Sequence, residues 1–160
     1  MQKRKCGANG PDLTTIGLGA WAIGGSWQFG WGPSDDDESI RTVQRAIDSG
    51  VKWIDTAAAY GWGHSAEIVG RAIKDRRDQV YIATKCGLVW DDQGRVRNDI
   101  RPQSIRREVE ASLRRLDIDV IDLYQIHWPY ANHSEADAWR EMQKLKKEGK
   151  VPPLTPELPQ

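Results

Sequence analysis

The sequence of 160 residues has only two cysteines, Cys6 and Cys86, and they lie far apart along the chain. Two distant thiols form neither a disulfide framework nor a metal-binding pattern, so they fit a reducing compartment. The chain also lacks an apolar run near the ~18 residues that a membrane span requires, and its N-terminus has no apolar signal core. We therefore expect a cytoplasmic protein with no metal site and no association with a membrane.

An excess of charge of either sign is also absent. The 23 basic and 23 acidic residues give a formal net charge of zero and are mixed along the chain. This balance gives no electrostatic footprint for a nucleic acid, and the partner need not be strongly charged. The densest basic stretch, residues 144–150 (KLKKEGK), is typical of a solvated helix end, because cations stabilise helix C-termini.

Four strand-then-helix units follow one another in the chain. We predict strands at residues 15–19, 51–55, 79–84 and 120–126. Each is followed by a loop and then by apolar residues at helical spacing. Strands that alternate with helices of 10 to 15 residues predict an α/β fold with a parallel sheet.

Polar residues and proline mark where the predicted helices begin. Ser34 is predicted to cap the first helix, with Asp37 three residues later as the acidic member of a capping box. Pro102 fits the first turn of the third helix, and Ser134 is predicted to cap the fourth. Residues 87–101 are predicted to form a polar loop.

The last nine residues differ from the rest in composition. Residues 152–160 (PPLTPELPQ) contain four of the eight prolines. Proline lacks the backbone donor that a central strand requires, so this segment is not expected to form a fifth central strand. We expect one domain over residues 1–151 and an extended or disordered tail over 152–160.

Ionisable residues stand at the ends of three predicted strands. Asp55, Lys85 and His127 end the second, third and fourth strands, and Tyr60 lies in the loop after the second. In a parallel α/β barrel these positions face the same rim, where active sites are built. Each could be structural by itself: a strand-end cap, an exposed strand end, a structural histidine or a packed ring. All four at one rim favour a functional site.

These four side chains suit proton transfer to a carbonyl group. Asp55 can pair with Lys85 and keep it charged. A nearby ammonium stabilises a phenolate, so Tyr60 is expected to be a stronger acid than a free phenol and to protonate a carbonyl oxygen. His127 can orient or polarise that carbonyl.

Four segments resemble, in order, the first half of the aldo-keto reductase family: residues 17–25, 53–74, 80–85 and 104–129. The runs DTAAAYGWG (55–63) and LYQIHWP (123–129) are specific when they occur together in this order. The resemblance implies a (β/α)₈ TIM barrel, of which this chain has about the first four units, a half barrel. It further implies that Asp55, Tyr60, Lys85 and His127 form the catalytic tetrad, with Tyr60 as general acid, and that NADPH (NADP) serves to reduce an aldehyde or ketone.

Tryptophans are expected to line part of this rim. Trp21 follows the first strand and is a candidate, with Asp55, for contact with the nicotinamide of the cofactor or with the substrate, whereas Trp53 is predicted to be core. Five others fall in predicted rim loops, where packing is the simpler explanation for any one of them: Trp27, Trp31, Trp62, Trp90 and Trp128. His64 and His133 are expected to be loop or surface residues, and Cys86 to be packed.

A half barrel leaves strand edges open, and three interpretations of the chain follow. It is a truncated product, a fragment of a longer protein, or a subunit of a homodimer that pairs two half barrels. We expect weak or absent turnover from the chain alone, because family members hold most of the cofactor with their second half. A non-enzymatic binding or regulatory module and an inactive remnant are the alternative functions.

Overall fold

A computed structural model describes residues 1–7, 10–129 and 134–151. The α-helices within these residues are α1 (Asp36–Asp48), α2 (His64–Ile73), α3 (Pro102–Leu116) and α4 (Glu135–Lys147). The strands are β1 (Lys3–Lys5), β2 (Asp12–Thr14), β3 (Leu18–Gly19), β4 (Trp53–Asp55), β5 (Tyr81–Cys86), β6 (Leu88–Trp90), β7 (Val96–Asn98) and β8 (Leu123–Ile126). None of the helices described is both long and apolar enough to cross a membrane.

Strands β3, β4, β5 and β8 form one parallel sheet in that spatial order. The register pairs Gly19 with Asp55 and Asp55 with Ala83, and it pairs Lys85 with Gln125. Helices α1, α2 and α3 lie in the connections between successive strands, so every strand runs in the same direction. The predicted α/β fold, a partial barrel of four strand–helix units, is confirmed.

The hydrophobic core lies between this sheet and its helices. The largest fully buried side chains come from both layers: Val43, Ile54, Ile68, Val69, Ile73, Ile82, Ile100, Ile105, Val109, Leu116, Ile121 and Leu145. Side chains alternate across a strand, so Ile54 faces the helices while its neighbours Trp53 and Asp55 line the opposite face of the sheet. Trp53 is therefore half-buried on the inner face, and its prediction as a core residue was wrong.

Strands β3, β4 and β8 begin later than the sequence predicts, and at β4 and β8 other hydrogen bonds occupy the residues concerned. The backbone N–H of Val51 donates to Ala46 O at the end of α1 rather than to a neighbouring strand. The carboxylate of Asp122 accepts the N–H of Ile82 at 2.7 Å, in place of a backbone carbonyl. β5 extends further than predicted, so Lys85 lies within this strand instead of following it.

Two antiparallel hairpins were missing from the sequence prediction. β1 pairs with β2, and β6 pairs with β7 inside the segment predicted as a polar loop. Asp91 organises the turn of the second hairpin, since its carboxylate accepts the N–H groups of Gln93 and Arg95 at 2.9 and 3.0 Å. The three-residue runs Leu88–Trp90 and Val96–Asn98 on either side of this turn were the available signal.

The cap of α1 is Asp35, not Ser34. The Asp35 carboxylate accepts the N–H of Glu38 at 2.7 Å, and α1 begins at Asp36. The Ser34 hydroxyl lies 3.5 Å from Ile23 O, which is long for an O–H···O hydrogen bond. A charged acceptor also suits the positive end of the helix dipole better than a hydroxyl does.

This assignment predicts different costs for two adjacent substitutions. Asp35→Ala should lower the free energy of unfolding by about 0.5–2 kcal/mol, because an orphan helix N–H loses its acceptor. Ser34→Ala should change the free energy of unfolding by less than about 0.5 kcal/mol. Urea unfolding of both variants measures the difference. A larger loss of unfolding free energy in Ser34→Ala than in Asp35→Ala would identify Ser34 as the cap.

Candidate active site

Lys85 is the centre of a cluster of polar groups at the carboxyl end of the sheet. Its Nζ donates to Asp55 Oδ1 at 2.7 Å, to Asp55 Oδ2 at 2.8 Å and to Thr56 O at 2.9 Å. It lies 3.4 Å from Tyr60 Oη. Asp55 and Ala83 are neighbours in register, so Lys85, two residues beyond Ala83, projects from the same face toward Asp55.

Close packing holds the Tyr60 loop, residues 56–63, against the rim. Gly61 has φ +61°, and a Cβ built on it would lie 2.1 Å from Gly24 O, so only glycine allows this approach. The loop thereby places the Tyr60 ring with its centroid 5.2 Å from Lys85 Nζ. The loop carries Tyr60 and strand β5 carries Lys85, and the two side chains come together at the rim.

His127 follows β8 directly and faces the same cluster. Its backbone N–H donates to Cys86 O at 2.8 Å, which continues the β5–β8 pairing by one residue. The centroid of its ring lies 5.9 Å from that of Tyr60, at an interplanar angle of 77°. Burial and the Lys85 ammonium lower the pKa of His127 to about 4. The imidazole is therefore neutral at pH 7 and can donate one N–H hydrogen bond without a charge.

A cavity of about 390 Å³ opens in front of Tyr60 and His127. We call it the aromatic cavity; its walls are Trp21, Trp27, Phe29, Tyr60, Leu88, Val96, Asn98, His127 and Trp128. The predicted rim position of Trp21 is thus matched by its place in this wall. Of the other loop tryptophans, Trp27 and Trp128 line the aromatic cavity, whereas Trp62 and Trp90 contact residues of the β6–β7 hairpin and α3.

Comparisons with known proteins agree with this geometry. The sequence pattern of the Aldo/keto reductase family matches residues 15–153. The aldo-keto reductase YhdN of Bacillus subtilis is 44% identical over 153 residues, covering 94% of this chain and 45% of its relative. A glycerol dehydrogenase structure from Gluconobacter oxydans aligns with a TM-score of 0.80 and 45% identity over 93% of this chain and 46% of that one. The chain belongs to the aldo/keto reductase family.

An aldo/keto reductase structure from Klebsiella pneumoniae with NADP and acetate is a more distant match. Its TM-score is 0.74 at 29% identity, and the match covers 94% of this chain and 48% of the other. The chain thus spans about half the length of the relatives and structures it matches. The parallel sheet described above corresponds to a part of the family's barrel.

Glu108 is a buried acid that the sequence analysis missed. Only 8% of its surface is exposed. Its Oε2 accepts the N–H of Gly87 at 2.9 Å and its Oε1 accepts the Ser104 hydroxyl at 3.1 Å. Gly87 comes two residues after Lys85, so Glu108 anchors the end of the strand that carries the ammonium. Its position three residues after Ile105, on the apolar face of α3, was the signal available in the sequence.

Cys86 and His64, which lie outside the cluster, have structural roles. Cys86 is buried, as predicted, and burial raises the pKa of its thiol far above the usual range, which makes it a poor nucleophile. His64 begins α2, and its side chain is partly exposed at the surface; its Nε2 lies 2.8 Å from Asp36 Oδ1. His133 lies outside the described residues. Within those residues, no three His, Cys, Asp or Glu side chains group as metal ligands.

Glu108 gives a prediction for the pH dependence of stability. Burial raises its pKa from 4.5 to about 7. The folded state therefore binds more protons than the unfolded state between these values, and stability falls as pH rises from about 4.5 to 7. Each tenfold change in proton affinity corresponds to ~1.4 kcal/mol, so the loss attributable to Glu108 is about 2–4 kcal/mol.

The variant Glu108→Gln keeps an acceptor for Gly87 but does not titrate. Its free energy of unfolding should lack this fall, so the difference between wild type and variant should change by about 2–4 kcal/mol across the window. Urea unfolding at closely spaced pH values measures it. Parallel profiles for the two proteins would contradict a raised pKa at Glu108.

Proposed function

We propose that this chain supplies the proton-transfer site of a reductase that converts aldehydes or ketones to alcohols with NADPH. The observation that supports it is the Lys85 ammonium, which lies 2.7 Å from the Asp55 carboxylate and 3.4 Å from the Tyr60 hydroxyl. A phenol beside a fixed cation is a competent acid for a carbonyl oxygen. The aromatic cavity in front of it has room for a small carbonyl compound.

In this proposal each polar group has one role. When bound, NADPH would supply a hydride for the carbonyl carbon. Tyr60 donates its proton to the carbonyl oxygen, and the Lys85 ammonium stabilises the phenolate that remains. Asp55 holds Lys85 in place through both carboxylate oxygens. His127, neutral at pH 7, orients the carbonyl with an N–H hydrogen bond.

The residues present fit the nicotinamide end of the cofactor. A flat heteroaromatic ring suits a cavity walled by Trp21 and Trp128. Lys85, which is paired with Asp55, adjoins this cavity through Tyr60, whose Oη lies 3.4 Å from Lys85 Nζ. We assign Trp21 and Asp55 to this contact. A relative from Escherichia coli, 40% identical over 166 residues, is an NADH-specific methylglyoxal reductase, so NADPH and NADH are the two cofactors to compare in a binding titration.

The substrate proposed for the aromatic cavity is an aldehyde or ketone with an apolar or aromatic substituent. Six of the nine lining residues are aromatic or aliphatic and lie outside the polar cluster: Trp21, Trp27, Phe29, Leu88, Val96 and Trp128. Such walls gain free energy by covering apolar surface. Asn98 adds one amide that can bind a polar substituent.

Cofactor binding is the first test of this proposal. Titration of the chain with NADPH and with NADH, followed by nicotinamide fluorescence, should give saturable binding of NADPH. Trp21→Ala should weaken that binding, because it removes the flat wall. Trp31→Phe, which keeps a ring against Trp21 at a more exposed position, should not weaken it. Mass in solution on the same sample tests whether two half barrels pair as a homodimer, one of the three interpretations of the chain. No binding up to millimolar cofactor would contradict the reductase proposal.

Tyr60→Phe tests the general acid. This variant keeps the ring and removes the proton donor, so any reduction of benzaldehyde that the wild-type chain catalyses should fall at least about 100-fold. Tyr81→Phe is the matched control, because Tyr81 is also partly buried but lies at the other end of β5. Turnover in Tyr60→Phe equal to that of wild type would remove Tyr60 from the mechanism.

A further inference from the structure

Trp62, two residues after Tyr60, has a backbone conformation that side chains disfavour. Its φ and ψ are 54° and 34°, in the left-handed region, between Gly61 at φ 61° and Gly63 at φ 104°. Residues other than glycine rarely adopt this conformation, and they keep it only where the surroundings impose it.

The surroundings of Trp62 do impose it. A Cβ on Gly61 would lie 2.1 Å from Gly24 O, and a Cβ on Gly63 would lie 2.4 Å from Arg115 Nε. The chain is therefore packed against a neighbouring segment immediately before and immediately after Trp62. With both flanks fixed, the direction of the Trp62 side chain is fixed as well.

The indole of Trp62 reaches the turn of the β6–β7 hairpin. Its Nε1 donates to Gly94 O at 2.9 Å. A Cβ on Gly94 would lie 2.8 Å from Trp62 Cζ2, so the ring packs directly on the glycine backbone. A second contact supports the same hairpin, since the Arg115 guanidinium lies 5.2 Å from the centroid of the Trp90 ring.

The hairpin held in this way forms one wall of the aromatic cavity. Leu88 from β6 and both Val96 and Asn98 from β7 line this cavity together with Tyr60. Movement of the turn would displace these three side chains, because the ladder and Asp91 hold the hairpin together. The loop that carries the proposed acid is thus joined by Trp62 to the surface that would contact the substrate.

We propose that Trp62 is a positioning residue that fixes the β6–β7 hairpin over the aromatic cavity and so sets the shape of the substrate site. Its role in substrate selection rests on the proposed reductase function, whereas its hold on the hairpin does not. The indole N–H and the ring face of Trp62 make separate contributions. The N–H forms a directional hydrogen bond with Gly94 O, and the ring leaves no room for a side chain at position 94.

Amide hydrogen exchange of peptides that cover residues 88–98 tests the hold on the hairpin without any turnover. Trp62→Phe keeps most of the ring and loses the N–H, so exchange in the hairpin should be about fivefold faster, as the loss of one hydrogen bond implies. Trp62→Gly suits the left-handed backbone but removes the ring too, so exchange should be at least about tenfold faster. Peptides from α3 should exchange as in wild type.

Trp31→Phe is the matched control. Trp31 is an indole with 76% of its surface exposed, and its ring contact is with Trp21 rather than with the hairpin. Exchange over residues 88–98 should be unchanged in this variant. Unchanged exchange in both Trp62→Phe and Trp62→Gly would overturn the proposal.

Kinetics with benzaldehyde test the consequence for the substrate site. Trp62→Phe should raise KM severalfold at unchanged kcat, because the wall moves while Asp55, Tyr60, Lys85 and His127 keep their contacts. A fall in kcat at unchanged KM would place the effect at Tyr60 and overturn the role in shaping the cavity. Faster hairpin exchange in a chain that binds neither NADPH nor NADH would instead reject the reductase function and leave the hold on the hairpin standing.

Discussion

The Lys85 ammonium needs a counter-charge, because only 14% of its side chain is exposed and an unpaired charge in that position would be strongly destabilising. Asp55 supplies the charge through two oxygens, and Thr56 O accepts the third N–H, so all three donors of the ammonium are occupied. The contact with Tyr60 at 3.4 Å is longer than these three. Lys85 is thus positioned by the sheet and is present as a preformed cation beside the phenol.

That ion pair in turn depends on the order of the strands. Asp55 and Lys85 meet because β4 and β5 are adjacent and parallel, with their carboxyl ends at one rim. The connections through α2 and α3 keep β5 and β8 parallel as well, which brings His127 to the same rim. Glu108 stabilises the carboxyl end of β5, since its carboxylate accepts the N–H of Gly87 directly after this strand.

The sequence predicted those parts of the candidate site that depend on the pattern of neighbouring residues. Asp55, Lys85 and His127 could be found because polar residues at the ends of apolar strand runs face one rim. The strand limits could not be found, because the competing bonds of Val51 and Asp122 come from the end of α1 and from a side chain. The hairpin around Asp91 was hidden by its polar turn, and Glu108 by a partner, Gly87, that is 21 residues away in sequence.

The loop after β4 shows where local rules and tertiary contacts disagree most. Trp62 would avoid a left-handed conformation by itself, yet close packing at Gly61 and Gly63 requires it. Such conflicts concentrate at functional sites, and this one adjoins the proposed acid. All four groups proposed for proton transfer fall within the half of the family's length that this chain spans. Proton donation requires only the phenol, its cation and an oriented carbonyl, whereas hydride transfer requires a held cofactor. Proton donation and cofactor binding therefore depend on different contacts. An intact Tyr60 loop does not by itself imply that the cofactor binds.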